Sequence, residues 1–560
     1  MTTVPDPPVV EFRSVGFTYP EAEAPTLTDV SFAVAEGELC LVVGPTGSGK
    51  STLLQAVSGL VPRFTGGLLT GEVLVAGRRT SEHPPRDLAD VVGTVGQDPA
   101  SGFVADTVEG EVAYVMENLA VPADTMRRRM EDTLDLMGLA DLRHRPLADL
   151  SGGQQQRVAI AAVLAANPRI LVLDEPTSAL DPAAADEVLS ALSRLVHDVG
   201  LTVIVAEHRL ERIVQFADVV VHVPGRDSAV RVGDPRELLG GDTPAPPVVR
   251  LAEVAGWSPL PLTVREARRQ AGPLRDRIGD PVAAATADRT VQGAAAGTVT
   301  SAPTAAPVLA RVRGLRARYG PVPALAGVDL DLRAGEVCAL MGRNGAGKST
   351  LLAHLAGMRA PLAGTVEVDG EAPHGRTPRR LVRSVGLVPQ DFSILLFADS
   401  VAEECAAADG DADVPPGTTL AELRSLVPGI DADRHPRDLS EGQRLALALS
   451  VVLAPGPRLL CLDEPTRGLD YAAKARLVDQ LRGLVAAGRS VLLATHDVEL
   501  VAEVADRVVL LADGEVVDDG PVRRVVCGSP VFAPQVARVM APSEWLTVSE
   551  VVGALSGSTT

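Results

Sequence analysis

The sequence predicts an α/β fold that occurs twice along one chain. The main evidence is an internal repeat: GELCLVVGPTGSGKSTLL begins at Gly37 and GEVCALMGRNGAGKSTLL begins at Gly335, and self-similarity of this kind indicates a duplicated domain. Short apolar runs that alternate with amphipathic segments predict buried parallel strands, at Leu39 to Val43, Ile170 to Leu173 and Val203 to Ala206. Such a sheet places ligand chemistry at the carboxyl ends of its strands.

The domain boundaries follow from the repeat and from a change in composition. The first domain is predicted at 1–273 with a small appendix at about 241–273, and the second at 308–560 with an appendix at about 530–560. The appendices resemble each other, in APPVVRLAEVAGWSPLPLTV and APQVARVMAPSEWLTV, and we expect them to pack together. Residues 274–307 are rich in Ala, Thr, Gly and Pro, which predicts a flexible linker.

Composition and charge limit the possible functions. Apolar residues make up 46% and charged residues 22% of the 560 residues, as in soluble globular proteins of more than one domain. The net charge of −20 argues against a general nucleic-acid surface, which needs an excess of Lys and Arg. No apolar run approaches the roughly 20 residues of a membrane span, and an export signal is not expected. Five scattered cysteines predict reduced, structural thiols.

Two glycine-rich loops carry the strongest chemical signal. Each follows an apolar run and precedes a predicted helix, as a phosphate-binding loop requires. Glycines let the backbone wrap phosphates, the amide groups at a helix start favour a polyanion, and the lysine reaches the terminal phosphates while the following serine binds Mg²⁺. We expect the nucleotide to contact Gly44, Pro45, Thr46, Gly47, Ser48, Gly49, Lys50, Ser51 and Thr52 in the first loop, and Gly342, Arg343, Asn344, Gly345, Ala346, Gly347, Lys348, Ser349 and Thr350 in the second.

An acidic pair follows a later apolar strand in each half, in ILVLDE and LLCLDE. The first acids, Asp174 and Asp463, are predicted to hold Mg²⁺. The second acids, Glu175 and Glu464, are predicted to position and deprotonate the attacking water. A solvated acidic turn is the alternative for either pair taken alone, but the distance from a phosphate loop favours the catalytic interpretation.

The segments LSGGQQQR, from Leu150, and LSEGQRLA, from Leu439, resemble the signature of ATP-binding-cassette (ABC) proteins. This resemblance implies that two MgATP are clamped between the halves of the chain and hydrolysed, with each signature covering the γ-phosphate held by the opposite half. A serine that opens a helix is also an ordinary N-cap, and both roles are compatible. The signature residues are Ser151, Gly153 and Gln154 for the C-terminal site, and Ser440, Gly442 and Gln443 for the N-terminal site.

Further positions match the same family residue by residue and in the same order in both halves. Any one of them alone is more often a packing or surface residue. The resemblance implies base stacking, a lid that contributes to the Mg²⁺ site and to catalysis, a switch on the γ-phosphate, and coupling between the sites. These roles belong, in that order, to Tyr19 and Tyr319, Gln97 and Gln390, His208 and His496, and Asp181 and Asp470.

One position departs from the family pattern, because Glu441 stands where the N-terminal half has Gly152. An acid there places an anion near the phosphates of the N-terminal site. We therefore hypothesise unequal sites, with slower turnover at the site built on Lys50. Both predicted bases and both switch histidines are present, so we expect hydrolysis at both sites.

The stretch GQDPASGFVADTVEGEVAYVMENLAVP, from Gly96, resembles the corresponding part of energy-coupling-factor (ECF) importers, which there receive coupling helices of the transmembrane component. PQDFSILLFADSVAEEC, from Pro389, is a looser copy, and AEHRLE, from Ala206, is similar to fused ATPases of that group. The alternative is that the apolar side chains are core residues of helical subdomains. These side chains are Phe103, Val108, Phe397 and Val401.

The resemblance implies a peripheral ATPase on the cytoplasmic face of the membrane. Its partners are a transmembrane coupling protein and a substrate-binding membrane protein, without nucleic acid, and its cargo is a vitamin or micronutrient, with thiamine or its pyrimidine precursor expected first. One alternative is a fused sugar-importer ATPase, in which the second cassette usually looks degenerate. Another is a soluble twin-cassette ribosome or translation factor, although residues 241–307 carry a net charge of only +1. A DNA-repair or chromosome ATPase requires zinc cysteines or heptads, which the sequence lacks.

Overall fold

The computed structural model describes residues 8–20, 22–178, 180–225, 228–281 and 306–557. The chain forms two compact units, Met1–Thr263 and Val264–Thr560. Residues 282–305, which make up most of the predicted linker, lie outside the described part. The predicted domain boundaries stay predictions.

The strands of the first unit form an antiparallel sheet and a larger, mainly parallel sheet. They are β1 (Val10–Thr18), β2 (Leu27–Val34), β3 (Leu39–Val43), β4 (Leu68–Val75), β5 (Arg78–Arg79), β6 (Val92–Val95), β7 (Ile170–Asp174), β8 (Thr202–Ala206), β9 (Val219–His222) and β10 (Arg231–Gly233). The first sheet has the order β2-β1-β4-β5 and the second has the order β10-β9-β3-β8-β7-β6, in which only β10 is antiparallel to its neighbour among the described strands. The three predicted strands are confirmed as β3, β7 and β8.

Helices follow the strands that carry the motifs. They are α1 (Lys50–Val57), α2 (Pro85–Leu88), α3 (Val108–Asn118), α4 (Ala123–Leu136), α5 (Gly152–Leu164), α6 (Pro182–His197), α7 (Leu210–Ile213), α8 (Pro235–Leu238) and α9 (Pro247–Ala255). Strand β8 lies between β3 and β7 in the sheet. The carboxyl ends of these three strands therefore bring the glycine loop, the acidic pair and the switch histidine to one edge.

The second unit repeats this arrangement. Its strands are β11 (Val308–Tyr319), β12 (Val322–Arg333), β13 (Val337–Met341), β14 (Ala363–Val368), β15 (Val385–Val388), β16 (Leu459–Asp463), β17 (Ser490–Ala494), β18 (Arg507–Ala512) and β19 (Glu515–Pro521). They form sheets of order β12-β11-β14 and β15-β16-β17-β13-β18-β19. Strand β17 lies between β13 and β16 in parallel register, so the second set of motifs also meets at one sheet edge.

The helices of the second unit include two that precede its first strand. They are α10 (Val264–Gln270), α11 (Gly272–Ile278), α12 (Lys348–Leu355), α13 (Pro378–Ser384), α14 (Val401–Ala412), α15 (Thr418–Leu426), α16 (Glu441–Leu453), α17 (Tyr471–Ala486), α18 (Val498–Val504), α19 (Val522–Cys527), α20 (Gln535–Met540) and α21 (Val548–Gly557). Helix α10 packs on α20, and α11 packs on α21. The Trp545 indole also donates to the Gly279 carbonyl at 3.0 Å. The expected packing of the appendices is thus observed for α10, whose residues belong to the first predicted appendix.

The apolar core confirms the strand assignments. Every residue of β3, β8, β13 and β17 is buried, as expected for strands covered on both faces. All five cysteines are free, and four of them are buried. Burial raises the pKa of the Cys405 thiol to about 11, so this cysteine stays protonated at neutral pH. No helix in the described ranges combines the length and apolar character that crossing a bilayer requires.

Candidate functional site

The two glycine loops have the same geometry. The Lys50 ammonium folds back over its loop and donates to the carbonyls of Gly44 and Pro45 at 3.0 and 2.9 Å. Lys348 makes the corresponding contacts with Gly342 and Arg343 at 2.9 and 3.3 Å. Both ammonium groups are therefore held above an exposed turn of backbone at the start of a helix, which is the arrangement that phosphate oxygens need.

Close packing explains the first glycine of each loop. A side chain at Gly44, where φ is +157°, would place its Cβ 2.1 Å from the Val223 carbonyl oxygen, and Gly342 would meet the Leu511 carbonyl at 2.3 Å. Within the first loop, Ser48 is 5% exposed, and its hydroxyl has no hydrogen-bond partner among the described residues. An unpaired buried hydroxyl beside exposed loop amides fits an anionic ligand.

A hydroxyl and a carboxylate meet where Mg²⁺ is predicted. Ser51 lies next to Asp174, and Ser349 lies next to Asp463. Burial raises the pKa of both aspartates, while the neighbouring serine and lysine oppose this shift. One oxygen of Asp463 is buried without a hydrogen-bond partner among the described residues. These oxygen donors are the kind that Mg²⁺ prefers, so the residues fit the predicted ion.

The predicted base of the N-terminal site is held on two sides. Glu175 accepts a hydrogen bond from the Gln97 amide at 3.2 Å, and its other oxygen lies 3.0 Å from Nε2 of His208. Its φ of +50° is uncommon for a residue other than glycine, and strained backbone of this kind often occurs at active sites. The structure therefore brings the lid glutamine, the acid and the switch histidine together.

The predicted base of the C-terminal site has different partners. Glu464 lies 3.6 Å from the Lys348 ammonium and 2.8 Å from Nδ1 of His496, and it accepts a bond from the Thr495 hydroxyl at 3.3 Å. Its φ of +49° matches that of the first site. Gln390 is exposed after β15 and has no hydrogen bond to Glu464 among those of the described residues. The lid glutamine is thus placed at the acid in one site but not in the other.

The two aromatic residues predicted to stack on the base differ as well. The Tyr19 hydroxyl bonds the Thr52 hydroxyl at 2.9 Å, and its ring packs edge-on against Phe17 with centroids 4.8 Å apart. Tyr319 is 46% exposed, and the Arg359 guanidinium lies 4.0 Å from its ring centre. The position is aromatic in both halves, but among the described residues a cation lies over the ring of Tyr319 and none lies over that of Tyr19.

The signature segments form complete capping boxes. The Gln154 side chain accepts from the Ser151 amide at 2.9 Å while the Ser151 hydroxyl accepts from the Gln154 amide at 3.4 Å. Ser440 and Gln443 form the same box on α16. The N-cap interpretation is therefore confirmed, and it orients the start of each helix. The site role of these residues across the halves stays a prediction.

The second signature glycine has a packing role that the sequence did not reveal. A Cβ at Gly153 would lie 2.6 Å from the Cβ of Ala184 on α6, and one at Gly442 would lie 3.1 Å from that of Ala473 on α17. At the preceding position, a Cβ built on Gly152 would meet its nearest neighbour, the Leu180 side chain, at 3.8 Å. There is consequently room for a side chain there, which explains how Glu441 is accommodated.

Glu441 has a cationic partner. Its carboxylate pairs with the Arg444 guanidinium one helical turn later. The N-terminal half has Gly152 and Gln155 at these two positions. The C-terminal half therefore adds one negative and one positive charge, and its net charge at the signature is unchanged. Arg444 was visible in the sequence at i+3, the spacing at which helical ion pairs form. The anion that motivates the hypothesis of unequal sites is therefore not isolated.

The predicted coupling acids also cap helices. Asp181 accepts from the Ala184 amide at 2.9 Å at the start of α6, and Asp470 accepts from the Ala473 amide at 2.7 Å at the start of α17. An N-cap aspartate fixes the backbone where a loop enters a helix. The loops that leave Glu175 and Glu464 are thereby anchored at their far ends.

The apolar residues of the lid segments fall into two classes. Val108 and Val401 are fully buried, so the core interpretation holds for them. Phe103 is half-buried, and Phe397 is 83% exposed. An exposed phenylalanine of this degree is unusual on a soluble surface and often marks an interaction site.

A buried glutamate supports each lid segment, and the sequence analysis did not single it out. In the first unit, Glu111 accepts from the amides of Val104 and Ala105 at 2.9 and 2.8 Å. In the second unit, Glu404 accepts from the amides of Phe397 and Ala398 at 2.7 and 2.8 Å. The signal in the sequence was an acid in the first turn of a helix, where the helix dipole favours a negative charge.

Glu207 is a second residue that the sequence analysis missed. It is 2% exposed and accepts a bond from the Thr177 hydroxyl at 2.5 Å. The signal was its position between an apolar strand and the switch histidine, where the other half has Thr495.

Known proteins with similar sequences and folds were found by comparison. Residues 27–178 and 325–467 match the ABC transporter family. A Streptomyces coelicolor chain, named as a candidate ABC transporter ATP-binding protein, is 59% identical and covers 98% of this chain and 100% of its own length. A Methanosarcina mazei chain named in the same way is 33% identical, with 92% of this chain and 90% of its own covered.

One solved structure has a similar fold over most of the chain. It is the archaeal ribosome recycling factor aABCE1 in complex with the ribosomal stalk protein aP1. It is 21% identical, has a TM-score of 0.56, and is matched over 88% of this chain and 87% of its own. At this identity the likeness concerns the fold alone.

Proposed function

This chain belongs to the ABC transporter family as a twin ATP-binding cassette that hydrolyses ATP, and we propose that it energises a membrane importer of the ECF type. The single observation that carries the importer proposal is the duplicated lid segment, which presents an apolar residue to solvent above a buried glutamate in each half. Such a segment suits a helix of a transmembrane partner that inserts apolar side chains into it.

Each half supplies the residues needed to hold and hydrolyse ATP. In this proposal Lys50 and Lys348 bind the terminal phosphates, and Glu175 and Glu464 accept the proton of the attacking water. The serine and aspartate oxygens would hold Mg²⁺, which would neutralise charge on the phosphates. The ring nitrogens of the switch histidines lie 3.0 and 2.8 Å from the glutamate oxygens.

The docking surfaces are the exposed parts of the lid segments. In the second unit they comprise Phe397, 83% exposed, and Ile394, 56% exposed. In the first unit they comprise Val104, 62% exposed, and Tyr114, 39% exposed. Because the glutamates fix the backbone beneath them, docking requires less ordering of the loop and costs less conformational entropy. We propose a coupling helix of a membrane protein as the occupant, and a vitamin or related micronutrient as the cargo.

The proposal is tested by purifying the full chain from detergent-solubilised membranes. We expect a transmembrane scaffold and a small solute-binding membrane protein to co-purify at constant ratio. Recovery of ribosomes in their place would support a ribosome factor, and recovery of a two-component sugar permease would support the fused sugar-importer ATPase. Either result would contradict the ECF proposal.

A point variant tests whether the membrane proteins bind at the lid segment of the second unit. Phe397→Asp should lower the recovery of the membrane proteins at least tenfold, because it places a charge in an apolar contact. Val517→Asp is the matched control, since Val517 is 61% exposed on β19 and lies outside the lid segment. Equal recovery with both variants would exclude Phe397 from the interface. Thermal unfolding of the two variants shows whether both remain folded.

A further inference from the structure

Glu207 is a buried carboxyl group in the N-terminal site with a role still to be assigned. It lies between the end of β8 and His208 and is 2% exposed. Oε1 accepts the Thr177 hydroxyl bond at 2.5 Å, whereas Oε2 is buried and has no hydrogen-bond partner among the described residues. Leaving a carboxylate oxygen unpaired in the interior is costly, so a position of this kind calls for a functional reason.

The bond joins two segments that the proposed mechanism needs to keep in register. Thr177 lies two residues after Glu175, in the loop that ends at the N-cap Asp181. His208 follows Glu207 directly. The Thr177–Glu207 bond therefore ties the loop that carries the base to the strand that carries the switch.

The C-terminal site has a different residue and a different hydrogen bond at the position of Glu207. Thr495 occupies the position of Glu207, and its hydroxyl bonds Glu464 itself at 3.3 Å while it accepts from the Asp497 amide at 3.0 Å. Thr466, which corresponds to Thr177, has a buried hydroxyl without a hydrogen-bond partner in the described part of the chain. Among the described residues, the hydroxyl two positions after the acid is thus bonded to the neighbouring strand end in the N-terminal site and not in the C-terminal site.

The charged groups around Glu207 come from three neighbouring segments. Glu175 faces it from the end of β7, and Arg209 and Arg212 face it from the start of α7, with His208 adjacent in the chain. Burial is the main cause that raises the pKa of Glu207 to about 7. The Thr177 bond opposes the shift, the Glu175 charge adds to it, and the two arginines oppose it. Both protonation states are consequently populated near neutral pH.

We infer that Glu207 is a positioning residue of the N-terminal site, which holds Glu175 and His208 in fixed relation through Thr177. The inference rests on the proposed roles of Glu175 and His208 and adds a determinant that the second site lacks. Displacing a catalytic group by about 1 Å can cost roughly 100-fold in rate. A single hydrogen bond that sets such a distance can therefore affect turnover without contacting the nucleotide.

The test uses the full chain with Glu464→Gln, so that the remaining turnover belongs to the N-terminal site. Replacing Glu207 by Thr, the residue of the other half, should lower kcat about tenfold and leave KM for ATP within about twofold. Glu207→Gln keeps an oxygen that accepts the Thr177 bond and should retain turnover within about threefold at a pH near 6. It should also remove an inflection near neutral pH from the rate profile of the parent.

A second measurement works even where little turnover remains. Amide hydrogen exchange at residues 177–178 and 180–181 should quicken about tenfold in Glu207→Thr, because the loop loses its anchor, and stay unchanged in Glu207→Gln. Parental kcat and parental exchange in Glu207→Thr would overturn the inference. Equal losses in the C-terminal site, measured with Glu175→Gln as the background, would show a general folding defect and also overturn it.

A separate variant tests the assignment of Glu175 as the base of the N-terminal site. Adding Glu175→Gln to the Glu464→Gln chain should lower the residual turnover by about 100-fold or more. If turnover persists, the assignment of Glu175 fails and the inference built on it fails too. If turnover is lost but Glu207→Thr behaves like the parent, the assignment stands and the inference alone is wrong.

Discussion

The two nucleotide sites share their motifs but differ in the contacts that hold their catalytic groups. In the first site Glu175 is held by Gln97 and His208. In the second site Glu464 is held by Lys348, His496 and Thr495. The backbone geometry of the two glutamates is the same, with φ of +50° and +49°. Duplication therefore preserved the backbone of the site, while the side-chain contacts around it diverged.

The largest expected effect comes from removing both proposed bases. Glu175→Gln with Glu464→Gln should lower ATP turnover by about 10²- to 10⁴-fold and leave a closed, ATP-bound chain. Steady-state phosphate release and retention of nucleotide during gel filtration measure the two results. Unchanged turnover would remove both residues from the mechanism.

The single variants sharpen the comparison between the sites. Glu464 pairs with Lys348 at 3.6 Å, whereas Glu175 has no such pair with Lys50 among the ion pairs of the described residues. Removing the charge of Glu464 frees Lys348 for phosphate, so we expect Glu464→Gln to bind ATP about two- to fivefold more tightly than Glu175→Gln. Equal affinities would mean that this ion pair does not compete with the nucleotide.

The next effect is on stability and depends on pH. The pKa of Glu207 in the folded chain, about 7, lies above the ordinary value of 4.5, so folding favours its protonated form. The stability that this gives is fully present below about pH 4.5 and is lost as the pH rises through 7. Glu207→Gln stays neutral at all these pH values. The difference between its free energy of unfolding and that of the wild type should therefore grow by roughly 3 kcal/mol, in favour of the variant, as the pH rises from about 5 to about 8.

Denaturant unfolding at the two pH values measures this difference. Thr495→Val is a suitable control, because it alters the matching position of the other half without a group that titrates in this range. A constant gap between Glu207→Gln and the wild type would show that Glu207 is ionised in the folded chain throughout this range.

Another expected effect concerns the signature of the second half. Arg444→Gln removes the guanidinium that pairs with Glu441. On the hypothesis of unequal sites it should lower turnover at the site built on Lys50 about tenfold, since losing a charged partner costs on the order of 1–2 kcal/mol. Glu441→Gly with Arg444→Gln restores the pattern of the first half and should recover the rate. Comparing Lys50→Ala with Lys348→Ala gives the single-site rates, and equal rates would contradict the hypothesis of unequal sites.

Much of the fold and of the site could be predicted because the motifs are local. The glycine loop, the acid pair and the capping box each occupy fewer than ten consecutive residues and follow from backbone and helix-start chemistry. The strands β3, β7 and β8 could be predicted because their residues are uniformly apolar. Because each motif occurs in the same order in both halves, a chance match to any one of them could be set aside.

The contacts between segments could not be predicted in this way. Thr177 and Glu207 are 30 residues apart, and no pattern in the sequence states that a hydroxyl and a carboxyl meet. The different surroundings of Tyr19 and Tyr319 depend on Phe17 and Arg359, neither of which belongs to a motif. Such contacts depend on how helices and strands pack together, and the periodicity of a single sequence does not predict this packing.

The capping box on each signature helix has a consequence for how a serine meets an anion. The oxygen of Ser151 accepts from the Gln154 amide, yet a hydroxyl can donate its own hydrogen while it accepts. That hydrogen remains available to a phosphate oxygen without any bond of the cap being broken. If the helix start meets a polyanion, as the family resemblance implies, its donor is already oriented, and exchange of Ser for Ala would remove the orientation together with the donor.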